Sequence, residues 1–312
     1  MRRIISGFAV LLLAGLSACG GGGGSASPNT GLTTPAVITT SNADNIARQA
    51  FYGGDLAANA TLAPAREGDS VVAAEKPVAV TLVRLLSDAA DALLPTSVPT
   101  RAPAPRAVVP IDETEPDGQG GSVRYILSVN DQTGAFTGTI VFNNYHGDGG
   151  GVIDGSCAVS GTITQYSMQI HFNFQSVRMV DGTEDVTAIG TVDMFSGTSG
   201  GNSTLNIVFR DNTTAKTTWF SDYTVAVTDL GNATDVRTFG RIYLHDYGYV
   251  DVHTEAPFIY PALSTQPTSG TITLTGDANC RARLTLLDAT TYMLEVDADG
   301  NNSYEWSVTH TW

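Results

Sequence analysis

Hydrophobic and polar positions follow two different periods along this chain. Over its first third the apolar residues recur at helical spacing. After Ser41-Asn42-Ala43-Asp44, side chains suited to a helix cap, Ile46, Ala47, Ala50 and Phe51 fall on one side, and Gly53-Gly54 predict the stop. A second helix is predicted from Pro77, in the first turn, to Pro95. Val78, Leu82, Leu85, Leu86, Ala89 and Leu93 form its apolar stripe, and Asp88 and Asp91 take part of its polar face. That stripe suits packing on a core. Between Pro95 and Gly121 the prolines and the acidic, turn-rich IDETEPDGQGG predict an extended connector.

From residue 122 onward the period changes to two. Val123–Val129, Phe136–Phe142, Met168–Phe174, Leu205–Phe209, Tyr223–Val227 and Thr271–Leu274 alternate and are rich in β-branched and aromatic residues. Their separators are turn chemistry, such as Asn130–Gly134, Asp181-Gly182, Ser196–Gly201, Asp211-Asn212 and Asp229–Asn232. Short separators favour hairpins. The fold expected is therefore mainly β: an antiparallel meander of roughly ten to twelve strands, curled into a barrel or sandwich to cover its apolar face, with one or two N-terminal helices. A GTI or GTV triplet recurs at Gly138, Gly161, Gly190 and Gly270, with SGTIT repeated at Ser160 and Ser269. The intervals are irregular, which argues against a solenoid or propeller and for glycine as a bending device in strands.

Composition narrows the function classes. Of 312 residues 42% are hydrophobic, enough for a core, and the formal charge is −15. Nucleic acid is a poor partner for such a chain, because binding it relies on Lys and Arg neutralising phosphates. Lys76 and Lys216 are the two lysines, and no basic run suggests attraction to anionic headgroups.

The first residues, MRRIISGFAVLLLAGLSAC, place two arginines before an apolar run too short to span a bilayer comfortably, with small residues after it. Leu16-Ser17-Ala18-Cys19 resembles the lipobox of bacterial lipoproteins. That resemblance implies cleavage before Cys19, diacylglycerol on its thiol, and, with Gly20 rather than Asp next, an outer-membrane address. Loss of Arg2 and Arg3 with the leader leaves 14 basic against 31 acidic residues, a net of −17. The expected organisation is a signal peptide at 1–18, a Gly/Ser/Thr/Pro tether at 19–40, a helical segment at 41–94, a linker at 95–121 and an antiparallel β domain at 122–312. The last 70 or so residues, from Gly248 through Pro267-Thr268-Ser269-Gly270 to Asp297-Ala298-Asp299-Gly300, also resemble uncharacterised proteobacterial lipoproteins, with no activity to transfer.

With Cys19 acylated, Cys157 and Cys280 remain. In an oxidising compartment they are candidates for a disulfide that would stabilise the fold by about 3–5 kcal/mol, or else for two separately buried thiols. Asp297, Asp299, Asn301 and Glu305 bring hard oxygen donors to alternate positions and resemble DxDGDG-type calcium loops. They depart from the EF-hand pattern in the place of the glycine and in lacking a glutamate at the twelfth position. The same letters also spell a hairpin turn between Tyr292–Val296 and Tyr304–Thr309. Gly147–Gly151 suits a calcium β-roll only if repeated, and it occurs once. Gly197-Thr198-Ser199-Gly200-Gly201 matches G-x-S-x-G, but it lies between strands rather than between a strand and a helix, where a nucleophile elbow belongs. His245 and His253 flank a turn, and their separation, about 13 Å if they share a face, is too large for one ion without a third element. Tyr304–Trp312 alternates aromatics and resembles the terminal signal of outer-membrane barrel proteins. The other strands are short, Thr-rich and polar, so these aromatics are expected to pack into a core.

The function expected is a lipid-anchored, non-enzymatic binding or structural module of the cell envelope. Its partners are the membrane, through the N-terminal lipid, and an envelope protein, lipid or polysaccharide. The alternative is a carrier holding an apolar ligand in a β-barrel or curved-sheet cavity under the 77–94 helix.

Overall fold

A computed structural model describes residues 29–62, 108–146, 151–182, 184–262, 264 and 266–312, with the backbone alone for 54–62. The leader, Cys19, the 77–94 helix and most of the 147–151 glycine run lie outside the described residues.

Among the described residues fourteen strands follow one α-helix, α1 (Ala43–Leu62). They are β1 (Val109–Pro116), β2 (Ser122–Val129), β3 (Ala135–His146), β4 (Val152–Ile163), β5 (Ser167–Asp181), β6 (Glu184–Gly197), β7 (Gly200–Asp211), β8 (Thr217–Asp229), β9 (Ala233–Leu244), β10 (Gly248–Pro261), β11 (Ser269–Thr275), β12 (Arg281–Leu286), β13 (Thr291–Asp297) and β14 (Trp306–Thr311). Each pairs antiparallel with the next, so the sheet is one meander in sequence order. The expected topology is right and the details are corrected. Fourteen strands replace ten to twelve, and β1 and β14 do not pair, so the sheet is not closed into a barrel.

One extra strand, β1, lies inside the stretch expected to be a connector. Its Pro110 and Pro116 sit on an edge strand, where a missing donor leaves no gap in the ladder. Asp112 anchors it by a bidentate pair with Arg124 on β2, both bonds at 2.7 Å.

Alternation decides which face is buried. On β5, Met168, Ile170, Phe172 and Phe174 point inward, then the phase shifts to Val177 and Met179. An uncorrected one-residue slip would send the second set to solvent; a register shift between Phe174 and Val177 turns it back. Comparable irregularities between Phe142 and Tyr145, Leu205 and Ile207, and Ser221 and Thr224 bend the sheet. The glycine of one GTV triplet is such a device. Gly190 has φ +135°, and a Cβ there would lie 2.2 Å from the Asn206 carbonyl oxygen, so no other residue fits.

On the inner face α1 packs against β6–β9, β12 and β13. Ala43, Ile46, Ala47, Ala50 and Phe51 are buried, the stripe that the sequence pattern predicts. The Asn42 side chain turns back toward the residues before the helix instead of capping the first turn: its Oδ1 accepts the Thr39 N–H at 2.8 Å, while its carbonyl accepts the Ile46 N–H at 3.1 Å. The predicted stop at Gly53-Gly54 is overturned, because the helix runs on to Leu62. Gly53 is there for close approach: a Cβ on it would lie 2.3 Å from Cε1 of Phe220. Two buried tyrosines hold the helix, Tyr223 donating to the Ala50 carbonyl at 2.8 Å and Tyr292 to the Asp44 carboxylate. Phe51 stacks on Trp312 at 4.6 Å and meets Phe258 edge-on at 5.2 Å. Trp306, Val308 and Trp312 pack against the core, as the alternation of that segment leads one to expect.

Residues 29–42 form a strap into the helix. It crosses three successive turns at one end of the sheet: Thr30 N–H donates to Thr217 Oγ1, Leu32 N–H to the His245 carbonyl, and Asp277 N–H to the Ala36 carbonyl. Thr34 and Ala36 also exchange backbone hydrogen bonds with Tyr249, at 2.9 and 2.8 Å.

Candidate functional site

Between α1 and the ends of β6–β9 lies a cleft of about 420 Å³. Asn45, Gln49 and Tyr52 on α1 form one wall, at a spacing that puts them on a single helix face. Phe209, Phe220, Leu244 and Val186 supply an apolar floor. Thr217, Thr218 and the two turn segments around Lys216 and His245–Tyr247 complete the rim. The size suits a small molecule, and the lining suits one with an apolar body and a few hydrogen-bonding groups.

The rim charges are already paired. Lys216 binds the Asp246 carboxylate, which raises its pKa. Asp211 caps its own turn, accepting the Thr213 N–H at 2.7 Å and the Thr214 hydroxyl at 2.6 Å, and the Thr214 bond in particular holds its carboxyl below the usual range. His245 Nδ1 stands 3.5 Å from Thr217 Oγ1, which in turn donates to Asn29 Oδ1 at 2.7 Å. Asn29 Nδ2 is a buried donor with no partner among the described residues. What the cleft offers chemically is therefore hydrogen bonding over an apolar floor.

The histidines separate as their spacing implies. His245 lies in the three-residue turn between paired Leu244 and Gly248, and His253 packs its ring against Phe239 at 5.4 Å on the exposed side of β10. Ser199 of the G-x-S-x-G match lies in the turn between β6 and β7, and its carbonyl accepts the Asp229 N–H.

The structure brings together three of the four predicted calcium ligands. Carboxylate oxygens of Asp297, Asp299 and Glu305 lie within 4.8 Å of one another. The fourth, Asn301, turns its Oδ1 to the Ser303 N–H at 2.7 Å. Asp297 is fully buried, and its two oxygens accept the N–H groups of Asn301 at 3.1 Å and Asn302 at 2.9 Å. Asp299 accepts from Asn301 twice. These bonds are what a hairpin with Gly300 and Asn302 at positive φ requires, and the buried carboxylate is satisfied without an ion.

Of the two alternatives left open for the cysteine pair, the structure holds the separate thiols. Cys157 and Cys280 are both buried free thiols. Cys157 faces inward on β4, donates to the Ala158 carbonyl, and is pushed up to about 12 by burial. Cys280, between β11 and β12, instead fastens the strap: its sulfur accepts the Ile38 N–H at 3.1 Å and reaches the Ala36 carbonyl at 3.6 Å.

An aromatic ladder on the outer face escaped the sequence reading. Trp219, Tyr243 and Tyr249 are cross-strand neighbours on β8, β9 and β10, the first two stacked at 4.3 Å. The Arg241 guanidinium lies 3.8 Å from the Tyr249 ring and is held by Asp251. Their alternation with buried Ile242, Leu244 and Val250 was the available signal.

No family model, curated protein or solved structure matches the chain.

Proposed function

We propose that the chain is a lipid-anchored, non-enzymatic binding module of the outer membrane, held by acylated Cys19 and using the cleft beside α1 as its site. The observation that carries the binding role is that cleft: an apolar floor of Phe209, Phe220 and Leu244 under amide and hydroxyl groups from α1 and two turns. The support for the anchor is the lipobox and the glycine-rich tether behind it.

A carrier with a large apolar lumen is less well supported. Inward side chains from β2 to β13 are buried, and α1 occupies the inner face against β6–β9, β12 and β13.

The test is native mass spectrometry of the protein released from its own envelope, beside a Thr218→Trp variant whose indole fills the cleft. A small-molecule adduct on the natural chain that the variant lacks supports the proposal. An adduct retained by the variant, or none on either protein, refutes the cleft as the site.

A further inference from the structure

The two edges of the open sheet are treated differently by the sequence. On β1, Pro110, Pro116, Asp112, Glu113 and Glu115 oppose the addition of another strand. On β14 nothing does: Trp306-Ser307-Val308-Thr309-His310-Thr311-Trp312 contains no proline, lysine, aspartate or glutamate. Among the described residues its outer edge pairs with nothing.

The register shows which backbone groups are free. Trp312 N–H donates to the Thr290 carbonyl at 3.1 Å. By antiparallel alternation, His310, Val308 and Trp306 then direct their N–H and C=O groups to their β13 partners Tyr292, Leu294 and Val296. Ser307, Thr309 and Thr311 direct theirs away from the sheet. Their side chains are exposed on the outer face, while Trp306, Val308 and Trp312 pack toward the core.

This segment is also nearly a palindrome about Thr309. We infer that β14 is a self-pairing edge, at which two copies of the chain join antiparallel about a two-fold axis through Thr309. At that register Thr309 faces Thr309 of the second copy, and Ser307 faces Thr311. All of these are residues with outward backbone groups, so about six hydrogen bonds form. On the outer face the facing side chains are hydroxyls. On the inner face Trp306 meets Trp312 and Val308 meets His310. Hydroxyl pairs and aromatic pairs are favourable cross-strand neighbours, and no like charges meet. A two-fold contact must be self-complementary, and this strand is, whereas β1 would set carboxylates against one another. The two sheets become one continuous sheet through the joint.

The test is sedimentation velocity of the full chain over a concentration series, with three variants and circular dichroism as the check on folding. The natural chain is expected to pass from monomer to dimer. Thr309→Lys sets two ammonium groups against each other on the axis and is expected to stay monomeric with an unchanged spectrum. Under mild oxidant, Thr309→Cys is expected to form a reducible covalent dimer. Ser307→Cys is not, because its two copies stand about 13 Å apart along the strands. A natural chain monomeric throughout, a dimer that survives Thr309→Lys, or equal crosslinking from both cysteine variants would each overturn the inference.

Discussion

Replacing Gly53 by alanine should weaken the fold, although the same change in a helix interior ordinarily strengthens it by about 1 kcal/mol. The reversal comes from Phe220. An alanine Cβ would lie 2.3 Å from Cε1 and 2.8 Å from Cζ of that ring, well inside the ~3.5–4.0 Å at which carbons rest. The ring cannot readily retreat, because it is buried and meets the edges of Phe209 at 5.9 Å and Tyr223 at 5.1 Å. Overpacking of this kind costs about 1–3 kcal/mol. If the helix backs away instead, the Tyr223 hydroxyl bond to Ala50 stretches, at a cost of about 1 kcal/mol. Either route exceeds or cancels the helix gain, and a net loss of about 1–2 kcal/mol is expected. Urea unfolding followed by tryptophan fluorescence measures it. The decisive comparison repeats Gly53→Ala in a Phe220→Leu background, where the ring is gone and the alanine should be neutral or stabilising, a coupling of at least about 1 kcal/mol. Should Gly53→Ala raise the urea midpoint of the natural chain, or cost the same in both backgrounds, the close-packing explanation fails.

Asp297→Ala strands two turn N–H groups against a buried site and should cost about 2–3 kcal/mol in urea unfolding, with the natural chain's midpoint the same with and without calcium. A calcium-dependent rise in that midpoint would reinstate the ion. Native protein should resist alkylation at Cys157, whose thiol sits at about 12, whereas without reductant the denatured chain should show both Cys157 and Cys280 alkylated by mass. Asp117 sits behind β1. Desolvation works against its ionisation, but the N–H groups of His146, Gln119 and Gly121 and the His146 ring overcome that and hold it well below the usual carboxylate range. Its folded pKa is depressed, so its contribution is present above the unfolded value near 3.8 and is lost as pH falls toward the folded one; Asp117→Asn should flatten the acid limb of the stability profile there. Cys19→Ser should move the protein from the membrane to the aqueous fraction and abolish labelling by a fatty-acid probe, and retention at the membrane would remove the lipid-anchor proposal.

The meander was legible because each hairpin is announced locally, by a two-period run and a turn of Gly, Asn and Asp. The start of α1 was legible for the same reason, since its buried stripe of Ile46, Ala47, Ala50 and Phe51 is written in one local stretch. What failed was set at a distance. Gly53 reads as a stop because its neighbours in sequence cannot reveal Phe220, which needs its missing side chain. β1 reads as a connector because prolines exclude central strands, and nothing local marks an edge. Cys157 and Cys280 are compatible with a bridge until the strap claims the Cys280 sulfur. The cleft draws on residues 45–53, 186, 209–220 and 244–247, so no single window of the chain contains it.

The strap carries a consequence for how the molecule is assembled in time. Every strand pairing joins neighbours in the chain, so the sheet can grow by successive short closures. The strap and helix bonds instead span 187 residues from Thr30 to Thr217, 242 from Ile38 to Cys280 and 248 from Asp44 to Tyr292. The segment synthesised early therefore waits for partners made late, and closing loops of that size slows their arrival. Folding should proceed in two kinetic stages, a zippering of hairpins and then the seating of α1. In pulsed hydrogen exchange, the Tyr249 amide that donates to Thr34 should gain protection after the amides that pair β12 with β13.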